Sequence, residues 1–234
     1  AVTQSGEQGG HIAHVAKLTA ALPDAAFAHS LNNYCASGLS AIGQAAAMVG
    51  SGQADAVLAG GVESMSRVAF LSDKAAYYRD TSLAPRARFI PPVLAADRLA
   101  AAEGIDRAAL DDAALTSQAR AAATEGDAAL QASRIAVGAC TGEQCIRPAT
   151  SADSLAAQAP AFAALQDDYV EALDGAHFPA VHTLAHAPPI CDGAGLALVT
   201  TDAAAARARV IAFAESGGDP EASLTAGIAA MDKA

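Results

Sequence analysis

Asn33-Tyr34-Cys35-Ala36-Ser37-Gly38, a charge-free stretch after it, and then Gly60-Gly61-Val62-Glu63-Ser64-Met65-Ser66-Arg67 decide how this chain folds. From Ser37 to Val49 the residues are small and apolar nearly all round, the pattern of a helix buried on every side. Gly50, Ser51 and Gly52 end it, and residues 54–59 read as a short apolar strand. Residues 25–31 form a strand candidate ahead of the helix. Strand, helix, strand in that order predicts a parallel crossover unit and an α/β protein. Cys35 then sits where strand turns into helix.

Outward from this stretch, Gly6 to Gly10 is a turn, and residues 11–22 predict a helix ended by Pro23-Asp24. The next region differs in character. It carries Pro85, Pro91, Pro92 and Pro148, and ten of the 14 Lys and Arg residues lie between Arg67 and Arg147 together with ten acidic residues. Its local charge is near zero, so the rest of the chain holds the formal net charge of -11. This predicts an insertion. Helices are expected over residues 94–103, ended by Gly104, and from Asp106 as N-cap through Ala123. From Asp192 the α/β pattern resumes, with strands expected at 196–200 and 210–214 and a short helix at 202–208. The division is 1–66, 67–184 and 185–234.

Composition narrows the class. The 234 residues suffice for a sizeable core. Hydrophobic residues make up 53% and aromatic residues 4%, so Ala, Val, Leu and Ile must build that core, which favours α/β over a β-sandwich. The negative charge argues against nucleic acid, whose binding rests on clustered Lys and Arg. Cys35, Cys140, Cys145 and Cys191 are too few and scattered for a disulfide framework, which fits a reducing, cytoplasmic setting. No stretch holds the roughly 20 uninterrupted apolar residues of a membrane span. Residues 25–54, free of charge but broken by polar side chains, are expected to be buried core.

A thiol needs help to act as a nucleophile at neutral pH. A helix N-terminus supplies it, through free N–H groups and the positive end of the dipole. The small residues Ala36, Ser37 and Gly38 would let a carbonyl approach those amides, an arrangement suited to an acyl-thioester intermediate. The alternative is packing, since cysteine is among the most buried residue types. Composition leaves both readings open.

The wording around Cys35 and the Gly60 to Arg67 segment closely resembles the thiolase family, the acetyl-CoA acyltransferases. The likeness extends through residues 2–10, Ile146-Arg147-Pro148, Ser154-Leu155-Ala156, Pro160-Ala161-Phe162 and Asp192-Gly193-Ala194 to Asp219-Pro220. It implies a layered αβα fold of two similar halves, with a CoA-binding loop domain inserted into the first. It implies that Cys35 is the acylated nucleophile, and that Arg147 and Ser154 contact the CoA nucleotide. The reaction implied is thiolysis of a 3-oxoacyl-CoA or Claisen condensation of acyl-CoA units, with CoA and acyl-CoA as substrates, no cofactor, and a homodimer or homotetramer as the assembly.

Two departures qualify the expectation. Where the family has Gly-Asn-x-Ser-Gly, this chain has Ala185-His186-Ala187-Pro188-Pro189. Proline fixes φ and donates no N–H, so weaker CoA binding is predicted, with His186 as the binding position in that loop. The family's C-terminal Gly-His-Pro and Cys-x-Gly motifs, which carry its base and second cysteine, are not in the sequence. An incomplete sequence is expected, with Ala1 as an interior or processed start and the C-terminal half largely absent. A thiolase-like acyl-CoA-binding or partner-subunit protein without full catalysis is the alternative. A ketoacyl synthase fits the Gly-Gly-Val-Glu-Ser-Met-Ser wording and the long insertion less well. Metal binding is not expected of the histidines and cysteines, because the Cys140 to Cys145 spacing suits zinc poorly.

Overall fold

The structure is a computed structural model that describes residues 3–204, 206–220 and 224–234. The chain divides into two compact units. The first comprises Ala1–Ala76, Ile190–Gly217 and Ala226–Ala234, and the second Tyr77–Pro189 and Gly218–Thr225. In chain order the helices and strands are α1 (Ile12–Thr19), α2 (Ser37–Gly50), β1 (Ala56–Ser64), α3 (Pro92–Glu103), α4 (Arg107–Thr124), α5 (Ala128–Gln131), α6 (Ala152–Ala156), α7 (Leu165–Asp168), β2 (Asp192–Thr200) and α8 (Ala226–Lys233). None of the described helices is long and apolar enough to cross a membrane.

In the first unit, β1 and β2 form an antiparallel pair with Ala56 opposite Thr200 and Ser64 opposite Asp192. Helix α2 packs against this pair. Gly38 and Gly61 make the close approach possible, since a Cβ on Gly61 would lie 3.3 Å from the Cα of Gly38. Gly60 is tighter still, for a Cβ there would meet the carbonyl oxygen of Gly195 at 2.0 Å. The Gly60-Gly61 pair is therefore the middle of a strand.

This corrects the parallel crossover. Residues 25–31 form no strand, and two of their carbonyls are taken by side chains instead of a ladder partner. Gln4 Nε2 donates to the Leu31 carbonyl at 3.1 Å and His11 Nε2 to the Ala28 carbonyl at 3.1 Å, while Ala26 N bonds back to the Pro23 carbonyl at 2.9 Å in a turn. Nor is α2 buried on every side, or the 25–54 run a core. Ser37, Ser40, Gly43, Ala45 and Val49 are buried, whereas Leu39 is 63% exposed. One layer of structure covers one face. Residues 210–214 form no strand among the described residues, and the helix expected at 202–208 falls partly outside them, with turns at 203 and 204.

In the second unit, Leu94 of α3 is fully buried against Tyr169 and Leu173, with Phe89, Ile90, Leu165 and Phe178 around them. Gly104 closes α3 in the left-handed conformation, φ 67°, and the Asp106 side chain caps α4 by accepting from the Ala109 amide at 2.9 Å.

Candidate functional site

Cys35 lies in an exposed turn one residue before the N-cap of α2. The turn is built from side-chain bonds to backbone. Tyr34 N donates to Asn32 Oδ1 at 2.9 Å, Asn33 N to Ser37 Oγ at 2.9 Å, and Ser37 Oγ to the Tyr34 carbonyl at 2.6 Å. These hold Tyr34 at φ 46°, a left-handed conformation that a bulky residue seldom adopts. The strain is concentrated immediately before the cysteine. Ala36 offers α2 no side-chain cap, and the amides of Gly38 and Leu39 find no acceptor among the described residues. Cys35 is exposed, so its thiol fills no core within its unit.

The Gly60 to Arg67 segment is held from both sides. Gln8, 3% exposed, accepts from Ser64 N at 2.5 Å and donates to Glu63 Oε1 at 2.6 Å and to the Thr3 carbonyl at 2.9 Å. Asp192 accepts from Ser66 N at 2.9 Å and Ser66 Oγ at 2.6 Å. The Ser66 hydroxyl, then its amide, hold the Asp192 carboxyl below the ordinary carboxylate range. Where Gly38, Gly60, Gly61 and Gly195 come together, the missing side chains leave an open hollow of about 400 Å³, lined also by Ile42, Leu196 and Ala197.

The other three candidate residues belong to the second unit, and helix α4 organises all of them. Arg147 is exposed, its guanidinium has no ion-pair partner among the described residues, and its backbone N donates to Gln118 Oε1 of α4 at 2.7 Å. Ser154 is spent on a capping box with Ser151 at the start of α6. Arg107 of α4 holds that helix by donating to the carbonyls of Leu155 and, at 2.9 Å, Gln158. His186 is the most enclosed, its side chain 3% exposed. Its Nδ1 accepts from Thr183 N at 3.1 Å, so Nε2 carries the proton and donates to Asp111 Oδ1 at 2.8 Å.

Arg107, Asp111 and Gln118 were not singled out by the sequence reading. Their spacing of four and then seven residues places them on one side of a helix, and that is the signal that could have found them. Burial pushes the Asp111 carboxyl up, but the hydrogen bonds from Arg107 and His186 outweigh it and leave it below its ordinary value. A parallel pair lies beside this one. His182 Nδ1 donates to the fully buried Asp97 at 2.6 Å, and the His182 and His186 rings stand edge to face, 5.9 Å apart. Among the described residues no three His, Cys, Asp or Glu side chains are grouped to hold a metal. A separate cavity of about 280 Å³, walled by Tyr77, Tyr78, Phe89 and Tyr169 with Arg79 stacked on Tyr169, includes none of the candidates.

Comparison with known proteins decides the family. Residues 1–203 match the model of the thiolase N-terminal domain. The chain belongs to the thiolase family. Among its relatives, the 3-oxoadipyl-CoA/3-oxo-5,6-dehydrosuberyl-CoA thiolase of Escherichia coli K12 is 30% identical over 248 residues, covering 93% of this chain and 58% of the relative. The 3-ketoacyl-CoA thiolase FadA of the same organism is 32% identical over 236 residues, covering 94% and 57%. A beta-ketoadipyl-CoA thiolase of Pseudomonas putida is 38% identical over 138 residues, covering 52% and 34%. The thiolase chain described here thus spans under three-fifths of the length of the relatives that match it most fully, and its fold class is the family's α/β fold.

Proposed function

We propose that this thiolase-family protein transfers acyl groups between CoA thioesters through a thioester on Cys35. The observation that carries the reading is the exposed cysteine at the uncapped start of α2, in a family whose named relatives act on 3-oxoacyl-CoA compounds. In the acylation step Cys35 Sγ attacks the thioester carbonyl carbon. The new S–C bond forms, the bond to the CoA sulfur breaks, and the thiol proton leaves with CoA. The free amides at the head of α2 are donors of the kind that stabilise the transient oxyanion.

In this reading the second unit receives CoA. Arg147, with no carboxylate partner among the described residues, offers its guanidinium to phosphate or adenine. Ser154, its hydroxyl already used, fixes the turn at Ser151, and His186 acts through the loop it orders, both ring nitrogens being engaged. A homodimer or homotetramer is part of the proposal.

Incubating the full chain with acetyl-CoA and mapping the modified peptide tests it. Acetylation of Cys35, with none on a Cys35→Ala variant, is the expected result. Acetyl-CoA binding without acylation of Cys35 would select the non-catalytic acyl-CoA-binding alternative.

A further inference from the structure

One side chain far along the sequence reaches the Cys35 turn. The Glu215 carboxylate oxygen Oε1 accepts from Ser40 Oγ and, at 3.3 Å, from Asn33 Nδ2. Asn33 Nδ2 also donates to Ser40 Oγ at 2.9 Å, closing a triangle of three side chains. Asn33 lies two residues before the cysteine, and Ser40, 3% exposed, lies on the first turn of α2 after it. The carboxylate therefore grips both sides of the Cys35 turn.

The approach of residue 215 is built into the packing of its segment. Two residues earlier, the Phe213 ring covers Gly43 so closely that a Cβ there would lie 2.3 Å from it. Ser40 and Gly43 share one face of α2, being three apart, and the Phe213 ring and the Glu215 carboxylate both meet that face. The segment lies along that face with an aromatic anchor and a carboxylate in register. Negative charge at the first turn of a helix is favourable in its own right. Because Asn33 also bonds to Ser37 through its backbone, fixing its side chain helps hold the left-handed Tyr34 and the cysteine that follows.

We propose that Glu215 is a positioning residue for the nucleophile, holding Asn33 and Ser40 so that Cys35 Sγ stays at the head of α2. This rests on the reading of Cys35 as the acyl acceptor. Removing the carboxylate frees the turn, and a small displacement of a reacting group costs about tenfold to a hundredfold in rate. Gln keeps an Oε1 acceptor for both donors and is the conservative replacement.

The experiment measures acetyl-CoA acylation of Cys35 against substrate concentration in the full chain, and its alkylation by iodoacetamide, for wild type, Glu215→Ala, Glu215→Gln, Asn33→Ala and Glu215→Ala with Asn33→Ala. The expected result is a loss of about tenfold or more in the saturating acylation rate for Glu215→Ala, with half-saturation unchanged and recovery to within about threefold for Glu215→Gln. Asn33→Ala should match Glu215→Ala, and the double variant should be no slower than either, as members of one network behave. Wild-type acylation by Glu215→Ala, or additive losses in the double variant, would overturn the proposal. If wild-type protein is not acylated at Cys35, the acyl-transfer reading fails instead. The alkylation rates then judge the positioning role alone, and equal rates in wild type and Glu215→Ala refute it.

Discussion

The two units are held together by different means. In the first, backbone meets backbone: α2 approaches β1 where Gly38 faces Gly61, and β1 approaches β2 where Gly60 faces the Gly195 carbonyl. In the second, long polar side chains bridge elements. Arg107, Asp111 and Gln118 of α4 hold the backbone after α6, the His186 loop and the Arg147 loop, beside an apolar cluster around Leu94. The first unit therefore has little tolerance for added atoms, and the second little tolerance for lost ones. The nucleophile candidate sits at the head of a helix seated by close backbone contact, with its own turn tied by side-chain bonds, and the residues proposed to bind CoA lie where loops hang from side chains.

The contrast breaks most readily at Gly60. A methyl group there collides with a paired backbone carbonyl, which no rotamer can relieve. Gly60→Ala should disrupt the β1 to β2 pairing and lower the melting temperature of the full chain by far more than a typical surface change. Hydrogen exchange should show protection lost in residues 56–64 and 192–200 and retained in α3 and α4. Equal loss in both units would mean that the glycine contact is not local. The reciprocal change is Leu94→Ala, which empties the centre of the second unit's cluster. A cost of about 2–5 kcal/mol is expected, read by chemical denaturation, with exchange increasing first in α3 and around Tyr169.

Side-chain bridging is sharpened by pH. The Asp111 carboxyl sits below its ordinary value of 3.8 despite burial, so its bonds to Arg107 and His186 favour the charged form. A depressed carboxylate contributes stability that is present above its unfolded value and is lost as pH falls through the folded one. Asp111→Asn should therefore destabilise by about 1–3 kcal/mol near pH 7 and by less below about pH 4. Thermal melts at pH 7 and pH 3.5 check this, and a difference independent of pH would show that charge is not what the bridge uses.

How much of this was legible follows from the same contrast. Local signals read well: the small-residue run gave α2, Gly104 ended α3, and Asp106 started α4. Cys35 before α2 was visible for the same reason, since the turn and helix are adjacent in sequence. Pairing was not. Whether residues 56–64 meet a neighbour in front of α2 or a strand more than a hundred residues later is not encoded in period or propensity, and the side chains that bond to the backbone of 25–31 come from residues 4 and 11. His186 was picked out by family wording, yet its partner Asp111 lies 75 residues away and only the helical spacing of Arg107 and Asp111 hinted at a shared face. Glu215 carried no sequence signal at all, because an isolated acidic residue outside any helix or strand is ordinarily a solvated one.

The smallest expected effect tests whether local signals also carry local energy. Asp106 is exposed and makes one bond that matters to α4, from the Ala109 amide at 2.9 Å. Without it that N–H returns to water, and replacing a capping Asp by Ala typically costs about 1 kcal/mol. Asp106→Ala should lower stability by about that amount, and Asp106→Ser should recover most of it, because a hydroxyl can accept the same bond. Denaturant titration resolves a difference of this size. Since α4 carries Arg107 as its first residue, fraying at the cap would also loosen the hold on Leu155 and Gln158. A loss well above 1 kcal/mol, accompanied by faster exchange around α6, would mean that the cap sustains the side-chain bridges as well as the helix. The second unit would then depend on one short-range signal for much of its long-range order.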